Sequence, residues 1–375
     1  MRIRSAIVGG GMIAAVHRRA IQAAGGELVA VMSSRPERSA ALADRWGVDS
    51  ADSLEALLEL DVDVVHVCSP NQTHAPVALA ALRAGKHVVV EKPVATSAAD
   101  AAEIARVAEE TGLTATVPFV YRFHPIIREL RARRIRGDFG RWYALHGSYL
   151  QDWMLSPSAG NWRVDSEEGG RSRAFGDVGS HWCDLVEFVS GERFAELSAT
   201  TAIAIPERPA PSAETFTLAD ADAPKVRVST EDLAAVTMRT GSGILGNVMV
   251  SQVSGGRRNR LWFELDGAEA SAVFDQEEPE TAWIGSPEQG VTIARGAGRA
   301  ADDAARLSYV PGGHAQGYQD CFDAFVGDTY AAIGGAAPEG LPTIADGLRS
   351  ARIVDAVLAS ADGRGIWTEI EEDPA

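Results

Sequence analysis

The chain opens on a short apolar run, Ile3 to Val8, that ends in Gly9-Gly10-Gly11 and passes at once into a helical pattern. From Met12 to Ala24 the apolar residues Ile13, Val16, Ala20 and Ile21 recur at helical spacing, and Gly25-Gly26 stops the segment. A strand, a glycine turn and a helix in this order start a βαβ unit, and Gly9-Gly10-Gly11-Met12-Ile13-Ala14 has the form GxGxxA. The first glycine permits the tight turn, the second lets the backbone approach a pyrophosphate, and a small residue at Ala14 allows close helix–strand packing. The helix start then offers free N–H groups and a favourable dipole to phosphates. Gly9, Gly11, Met12 and Ile13 are therefore candidate contacts to a dinucleotide.

The pattern continues in kind. Leu28–Met32, Val62–Cys68, His87–Glu91 and Thr114–Tyr121 read as strands. His74–Ala84, closed by Gly85, and Ala98–Thr111, with Ser97 as N-cap and Gly112 as stop, read as helices. Short apolar strands between helices indicate a doubly wound parallel sheet covered on both faces. From about residue 122 the rhythm changes. Trp142–Trp153, Glu196–Ile205, Val226–Thr240, Gly243–Ser254, Arg260–Asp266 and Glu269–Phe274 read as successive strands with glycine turns between them, an antiparallel or mixed sheet. Pro206–Pro224 reads as a loop, Ser286–Gln316 lacks periodicity, and Asp320–Ile333 and Thr343–Ala361 read as closing helices. The fold class is α/β, with a dinucleotide-binding domain over residues 1–121 and a substrate-binding domain over residues 122–375.

Composition narrows the function. A net charge of −17 argues against nucleic acid as a partner, and no basic block or long apolar run points to a membrane. Cys68, Cys183 and Cys321 are far apart and form no CxxC pair, so neither a disulfide framework nor a cysteine zinc site is expected, and no metal is assigned. The first strand begins within five residues of Met1, so no signal peptide is expected. The expected compartment is the reducing cytoplasm.

Of 35 basic residues only Lys86, Lys92 and Lys225 are lysines. Lys92 stands between Glu91 and Pro93 at the carboxyl end of a buried strand, where a nicotinamide would lie. An ammonium there can stabilise a developing alkoxide, and Glu91 can hold it in place. Asp177 and His181, four residues apart, can share one face at the head of a helix running to Ser190 whose apolar face is Val178, Trp182, Leu185 and Val189. Histidine is the usual proton acceptor near neutral pH. The alternative is that Asp177 caps the helix and His181 is a satisfied core residue. Lys92 comes from the first expected domain and the Asp177–His181 pair from the second, so a cleft between them would hold all three.

Ser69-Pro70-Asn71 and His74 follow the third strand. Asn71 can bond a ribose or nicotinamide edge, or the segment is simply a helix entry. The second strand ends in Met32-Ser33-Ser34-Arg35-Pro36, with Arg38 beyond. No carboxylate there repels a 2′-phosphate, so NADP is favoured, with NAD as the alternative and a merely solvated Arg35 as the bland reading.

With these residues in view the chain resembles the Gfo/Idh/MocA oxidoreductase family over essentially its whole length. The resemblance rests on the GGGMIA turn, the SPNQTH loop, the VVVEKP strand end and the DVGSH helix head. It implies a Rossmann domain followed by an α/β domain with a large open, mainly antiparallel sheet. It also implies a homodimer or homotetramer formed through that sheet, and NAD(P)-dependent oxidation of sugars, anhydrosugars or cyclitols. Lys92, Asp177 and His181 match the family's catalytic positions, with His181 as base, Asp177 orienting it and Lys92 on the alkoxide. Ser148-Tyr149-Leu150-Gln151-Asp152-Trp153 and Asn161-Trp162-Arg163 are similar to the levoglucosan dehydrogenase branch and to inositol-type dehydrogenases. That likeness puts Trp162 and Arg163 with the cofactor and Tyr121, Gln151 and Trp153 with the substrate. In a strand Gln151 and Trp153 would share a face; the alternative is a packing tryptophan beside a polar edge. Two departures stand out: Ser33 replaces the strand-two carboxylate of NAD-using relatives, and Arg171-Ser172-Arg173 adds positive charge before the DVGSH motif. A cofactor-recycling glycosidase, or a non-catalytic nucleotide-bound sensor, are the competing readings.

Overall fold

The computed structural model describes residues 2–209, 223–298 and 300–372. The first half alternates strictly: β1 (Arg4–Val8), α1 (Met12–Ala23), β2 (Glu27–Met32), α2 (Pro36–Trp46), β3 (Asp49–Ser50), α3 (Leu54–Leu58), β4 (Val64–Val67), α4 (His74–Arg83), β5 (His87–Val90), α5 (Ala98–Thr111) and β6 (Ala115–Thr116). The six strands form one parallel sheet in the order β3-β2-β1-β4-β5-β6. Val64, Val65, Val67 and Val88 to Val90 are all fully buried, as expected of strands covered on both faces. The order reverses between β1 and β4, so the crevice for a ligand opens beyond their carboxyl ends, beside Gly9 and Ser69. Gly9 has φ +122°, and a Cβ on it would lie 2.3 Å from the carbonyl oxygen of Cys68, so no other residue fits this turn.

After β6 come α6 (Pro125–Arg136), β7 (Trp142–Leu150), α7 (Ser166–Gly169), α8 (Ser180–Ser190), β8 (Phe194–Ala202), β9 (Glu207–Pro209), β10 (Lys225–Arg227), β11 (Leu233–Thr240), β12 (Leu245–Ser251), β13 (Arg260–Gly267), β14 (Ser271–Asp275), β15 (Thr281–Gly285) and β16 (Gly290–Ala294). The chain closes with α9 (Asp302–Arg306), α10 (Tyr318–Ile333), α11 (Ile344–Asp362) and β17 (Thr368–Glu369). Among the described residues nine of these strands form a second sheet, β16-β15-β14-β13-β7-β12-β11-β8-β17, antiparallel throughout except for β7 beside β12. In β11, Ala234, Val236 and Met238 are buried while Ala235, Thr237 and Arg239 are exposed: one face packs and the other is open. The packed face meets α8 through Trp182, Leu185 and Val189.

Two helices stitch the halves together. Phe322, Phe325 and Tyr330 of α10 join Ile7 and Ile21 in the core of the first sheet. In α11, Ile344, Leu348 and Ala351 pack into the first sheet's core, whereas Ile353, Ala356 and Val357 pack into the second's. Among the described residues no helix is long and apolar enough to cross a membrane.

Several expected elements differ in extent. The strand read over Thr114–Tyr121 is only two residues long, because Pro118 cannot donate to a ladder and the chain turns there into a short 3₁₀ segment, Val120–Phe123. The strand read over Val226–Thr240 is split. Between its halves Asp232 is fully buried and accepts the backbone N–H groups of Ala204 and Ile205 as well as bonds from Arg173 and Arg208. Arg173 is thereby withdrawn from any role as loose positive charge at the cleft. Most of the loop read over Pro206–Pro224 lies outside the described residues.

Candidate active site

The segment before α8 carries the chemistry. Phe175–Gly179 forms a π-helical turn, closed by the Ser180 N–H on the Phe175 carbonyl, and only then does α8 begin. A Cβ on Gly179 would sit 2.6 Å from the Phe175 ring, so glycine is what lets the turn widen over that ring. Such turns recur at functional sites because they redirect side chains out of helical register. Here the turn aims Asp177 at Lys92 across the interface between the two sheets. Lys92 Nζ donates to Asp177 Oδ1 at 2.7 Å and to the Asp177 carbonyl at 2.9 Å. Gln252, just past β12, donates to Asp177 Oδ2 at 2.7 Å, and the Arg163 guanidinium lies 4.0 Å from Oδ1. Burial pushes the Asp177 carboxyl up, but the Lys92 and Arg163 charges outweigh it and hold the group well below the usual carboxylate range.

His181 is buried, with its ring edge-on to Phe119 and Tyr121 at 5.6 and 5.0 Å between centroids. Burial first and the Lys92 charge second push its pKa well below the ordinary histidine value, against the pull of Asp177. The imidazole is therefore neutral at neutral pH. Its Nδ1 is buried with no partner among the described residues. Lys92 and Gln252 engage the two Asp177 carboxylate oxygens, and the Asp177 charge acts on the His181 ring. Asp177 does not cap the helix, since its own N–H continues the turn onto the Arg173 carbonyl.

Glu91 was expected to hold the Lys92 ammonium and does not. Its Oε2 accepts the Lys92 backbone N–H at 3.1 Å, and its Oε1 meets His17 Nε2 at 2.9 Å. His17 Nδ1 meets His66 Nδ1 at 2.9 Å, His66 Nε2 meets the Tyr330 hydroxyl at 3.1 Å, and that hydroxyl meets Ser5 Oγ at 2.6 Å. Glu91 accepts at both oxygens, so His17 Nε2–H donates to it, and burial keeps the His66 ring neutral. This buried chain anchors the Glu91–Lys92 strand end to α10. Tyr330→Phe strands Ser5 and His66 and should lower unfolding free energy by about 1–3 kcal/mol. A denaturant midpoint equal to that of the unmodified protein would show the chain to be idle.

At the dinucleotide end, α1 starts with no side-chain cap, Gly10, Gly11 and Met12 are exposed, and a Cβ on Gly11 would meet nothing within 4 Å. That open, uncapped helix start fits a pyrophosphate. Ser33 lies against Gly10, its N–H donating to Ser39 Oγ at 2.8 Å, and the exposed Arg38 reaches Ser34 Oγ at 3.5 Å beside the exposed Arg35. Asn71 Nδ2 donates to the Gly169 carbonyl at 2.9 Å and so ties the loop after β4 to the second half of the chain. Both ring nitrogens of His74 face backbone carbonyls, of Ser69 and Pro93, at 2.7 Å, which fixes the Ser69–Pro70 loop against the Lys92–Pro93 turn. Arg163 stacks over Trp162 at 4.3 Å to the ring centroid.

A neutral polar wall flanks His181. The Tyr121 and Tyr149 hydroxyls are 2.8 Å apart, Asn259 bridges Tyr149, Tyr121 and Gln151, and Trp153 Nε1 donates to Gln151 Oε1 at 2.9 Å. β7 ends at Leu150, so Gln151 and Trp153 lie beyond the strand and do not alternate along it as expected. Bonds from the Gln151 N–H to Ser251 and from the Ser254 N–H to the Gln151 carbonyl bend the chain there, and the two side chains meet through that bend. Trp153 also packs on a small cluster of Met154, Ala159, Val164 and Val228. Sequence reading missed Gln252, Tyr149 and Asn259, because nothing local marks a polar residue whose partners lie 28 to 138 positions away. A separate cluster of ligand-type residues, His146 with Asp266 at 3.4 Å and Glu264 at 4.0 Å, lies on the face of the second sheet opposite Leu145 and Tyr149 and reads as cross-strand ion pairing.

Comparison with known proteins matches residues 3–119 to the GFO/IDH/MocA oxidoreductase family's NAD-binding Rossmann fold and residues 127–273 to the GFO/IDH/MocA C-terminal domain. An oxidoreductase domain protein from Kribbella flavida superposes with a TM-score of 0.89 at 32% identity, over 99% of this chain and 100% of that one. The chain belongs to the Gfo/Idh/MocA oxidoreductase family. This oxidoreductase is also similar to levoglucosan dehydrogenase of Pseudarthrobacter phenanthrenivorans, 32% identical over 253 residues. That match takes in 66% of this chain and spans 64% of the relative's length. A solved levoglucosan dehydrogenase in complex with NADH and levoglucosan superposes with a TM-score of 0.89 at 26% identity, over 99% and 100% of the two chains.

Proposed function

We propose that this oxidoreductase is an NAD(P)-dependent dehydrogenase that oxidises a secondary hydroxyl of a sugar, anhydrosugar or cyclitol. The observation that carries this reading is the 2.7 Å Lys92–Asp177 pair beside a neutral, buried His181, set where the carboxyl edge of the Rossmann sheet meets the second domain. A bound nicotinamide dinucleotide supplies the hydride acceptor. Gly9, Gly11, Met12 and Ile13 hold its pyrophosphate, Ser33, Ser34, Arg35 and Arg38 its adenosine ribose, and Ser69, Pro70, Asn71, His74, Glu91, Lys92, Trp162 and Arg163 frame the path to the nicotinamide. The neutral His181 imidazole takes the substrate hydroxyl proton. Lys92 stabilises the oxygen as it gains charge. Asp177 stays ionised and balances the imidazolium that forms. Tyr121 and Gln151 bond the remaining hydroxyls, and Trp153 covers a C–H face.

The levoglucosan dehydrogenase that superposes on this chain was solved with NADH and levoglucosan, which supports both the cofactor class and the substrate class. Measuring net nicotinamide reduction with a panel of sugars, anhydrosugars and cyclitols tests the reading. Substrate consumed without net reduction would instead favour a cofactor-recycling glycosidase. Three buried free cysteines support the cytoplasm as its compartment, and the open face of the second sheet supports a homodimer or homotetramer.

Two serines and two exposed arginines at the end of β2 favour NADP over NAD. Ser33→Asp places a carboxylate where the 2′-phosphate would sit, so it should weaken NADP(H) and shift preference towards NAD(H). Titration of both cofactors against both proteins checks this. A clear NAD(H) preference in the unmodified protein would overturn the assignment of Ser33, Arg35 and Arg38.

A further inference from the structure

Asn259, between the Gly255-Gly256 turn and β13, has no part in the mechanism above, yet three side chains converge on it. Its Oδ1 accepts from the Tyr149 hydroxyl at 2.7 Å and from Gln151 Nε2 at 2.9 Å, and its Nδ2 donates to the Tyr121 oxygen at 3.1 Å. Its own backbone is pinned, the N–H donating to Glu277 Oε1 at 3.1 Å beside that of Arg258 at 2.7 Å. The neighbouring turn is clamped by Asp152, which accepts the Gly256 N–H at 3.1 Å and pairs with Arg258.

The directions of these bonds fix what the wall offers. Tyr149 has given its proton to Asn259, so in the 2.8 Å contact between the tyrosines Tyr121 is the donor. The Tyr121 oxygen, having donated its proton and accepted one bond, keeps one lone pair. Gln151 cannot flip: its Oε1 would then oppose Asn259 Oδ1 and its Nε2 would oppose the Trp153 N–H. Among the described residues its amide therefore keeps one N–H without a partner. A free donor on Gln151 and a free acceptor on Tyr121 complement a hydroxyl, which both donates and accepts. A carboxylate or phosphate only accepts, and meets a lone pair at Tyr121. The Tyr121 ring also lies edge-on to His181, so the same residue aligns the wall with the base.

We propose that Asn259 is a positioning residue that sets the Gln151 amide and the Tyr121 hydroxyl to read an uncharged, hydroxylated ring and to reject its carboxylated or phosphorylated counterpart. This rests on the dehydrogenase reading above. The test measures kcat and KM for a neutral sugar that the enzyme oxidises and for its uronate, in the unmodified protein, Asn259→Ala, Gln151→Ala and the double variant. Loss of the hub should raise KM for the neutral sugar on the order of tenfold. It should leave kcat and dinucleotide affinity nearly unchanged, and should narrow the preference for neutral sugar over uronate. Because Asn259 acts through Gln151, the double variant should be little worse than Gln151→Ala alone. Asn259→Asp keeps the acceptor for Tyr149 and Gln151 but removes the donor to Tyr121, so it should fold and still lose discrimination. Additive losses, an unchanged KM, or a wild-type preference for the uronate overturn the proposal while leaving the dehydrogenase reading intact. Failure of the unmodified protein to oxidise any sugar overturns both.

Discussion

Lys92→Ala should lower kcat/KM by about 10²–10³ while leaving dinucleotide affinity nearly intact. Two losses combine. The developing alkoxide loses its positive donor, and Asp177 loses the cation 2.7 Å from its carboxylate. Burial pushes the Asp177 carboxyl up, and removing Lys92 takes away the largest influence that opposes it, leaving Arg163, at 4.0 Å, and His181. The carboxyl should then protonate at a higher pH than in the unmodified protein, so the variant's residual activity should fall off earlier on acidification. Lys92→Arg keeps the charge but replaces a compact ammonium with a longer, planar group that spreads it, so it should recover only part of the loss. Steady-state kinetics across pH, with a cofactor titration on the same samples, measure both effects. Near-normal turnover in Lys92→Ala would remove the residue from the mechanism.

What the sequence made legible was what short-range physics encodes. The Gly9 turn is readable because a strand, a left-handed glycine and a helix start are neighbours in the chain. Helix α5 was read to its ends, Ala98–Thr111, because Ser97 caps it and Gly112 stops it with a positive φ. Asp177 and His181 were visible as a pair four residues apart, although the π-turn that carries Asp177 was not. Helix α2 escaped notice because Glu37, Arg38, Asp44 and Arg45 break its apolar pattern, leaving Ser39, Leu42 and Ala43 as its only buried residues. Partner choice was the least legible. Glu91 was assigned to its neighbour Lys92, whereas the fold pairs it with His17, 74 positions away, and gives Lys92 to Asp177, 85 positions away. Such pairings are decided by which elements pack together, and no local pattern records them. The residue types of the reaction could be read from the chain; the groups that aim them, Gln252 and Asn259 among them, emerge only in the folded structure.

The base makes the sharpest test of the site. His181→Ala should lower kcat/KM by about 10²–10⁴, the range a positioned general base contributes. The shape of the pH profile matters more than the size of the loss, since a merely structural histidine could also slow the enzyme. Burial and the Lys92 charge both disfavour the imidazolium of His181, and Asp177 only partly restores it. The folded ring therefore stays unprotonated below the ordinary histidine value of about 6.5. A base must be unprotonated to act, so kcat/KM in the unmodified enzyme should hold through neutral pH and decline only below that value. Asp177→Asn removes the one charge that raises the pKa of His181, so its acid limb should move to still lower pH even as turnover drops, because the imidazolium formed on proton transfer loses its counter-charge. In His181→Ala the limb should vanish. An acid limb above about 6.5, or one that survives in His181→Ala, would assign the proton transfer to another group.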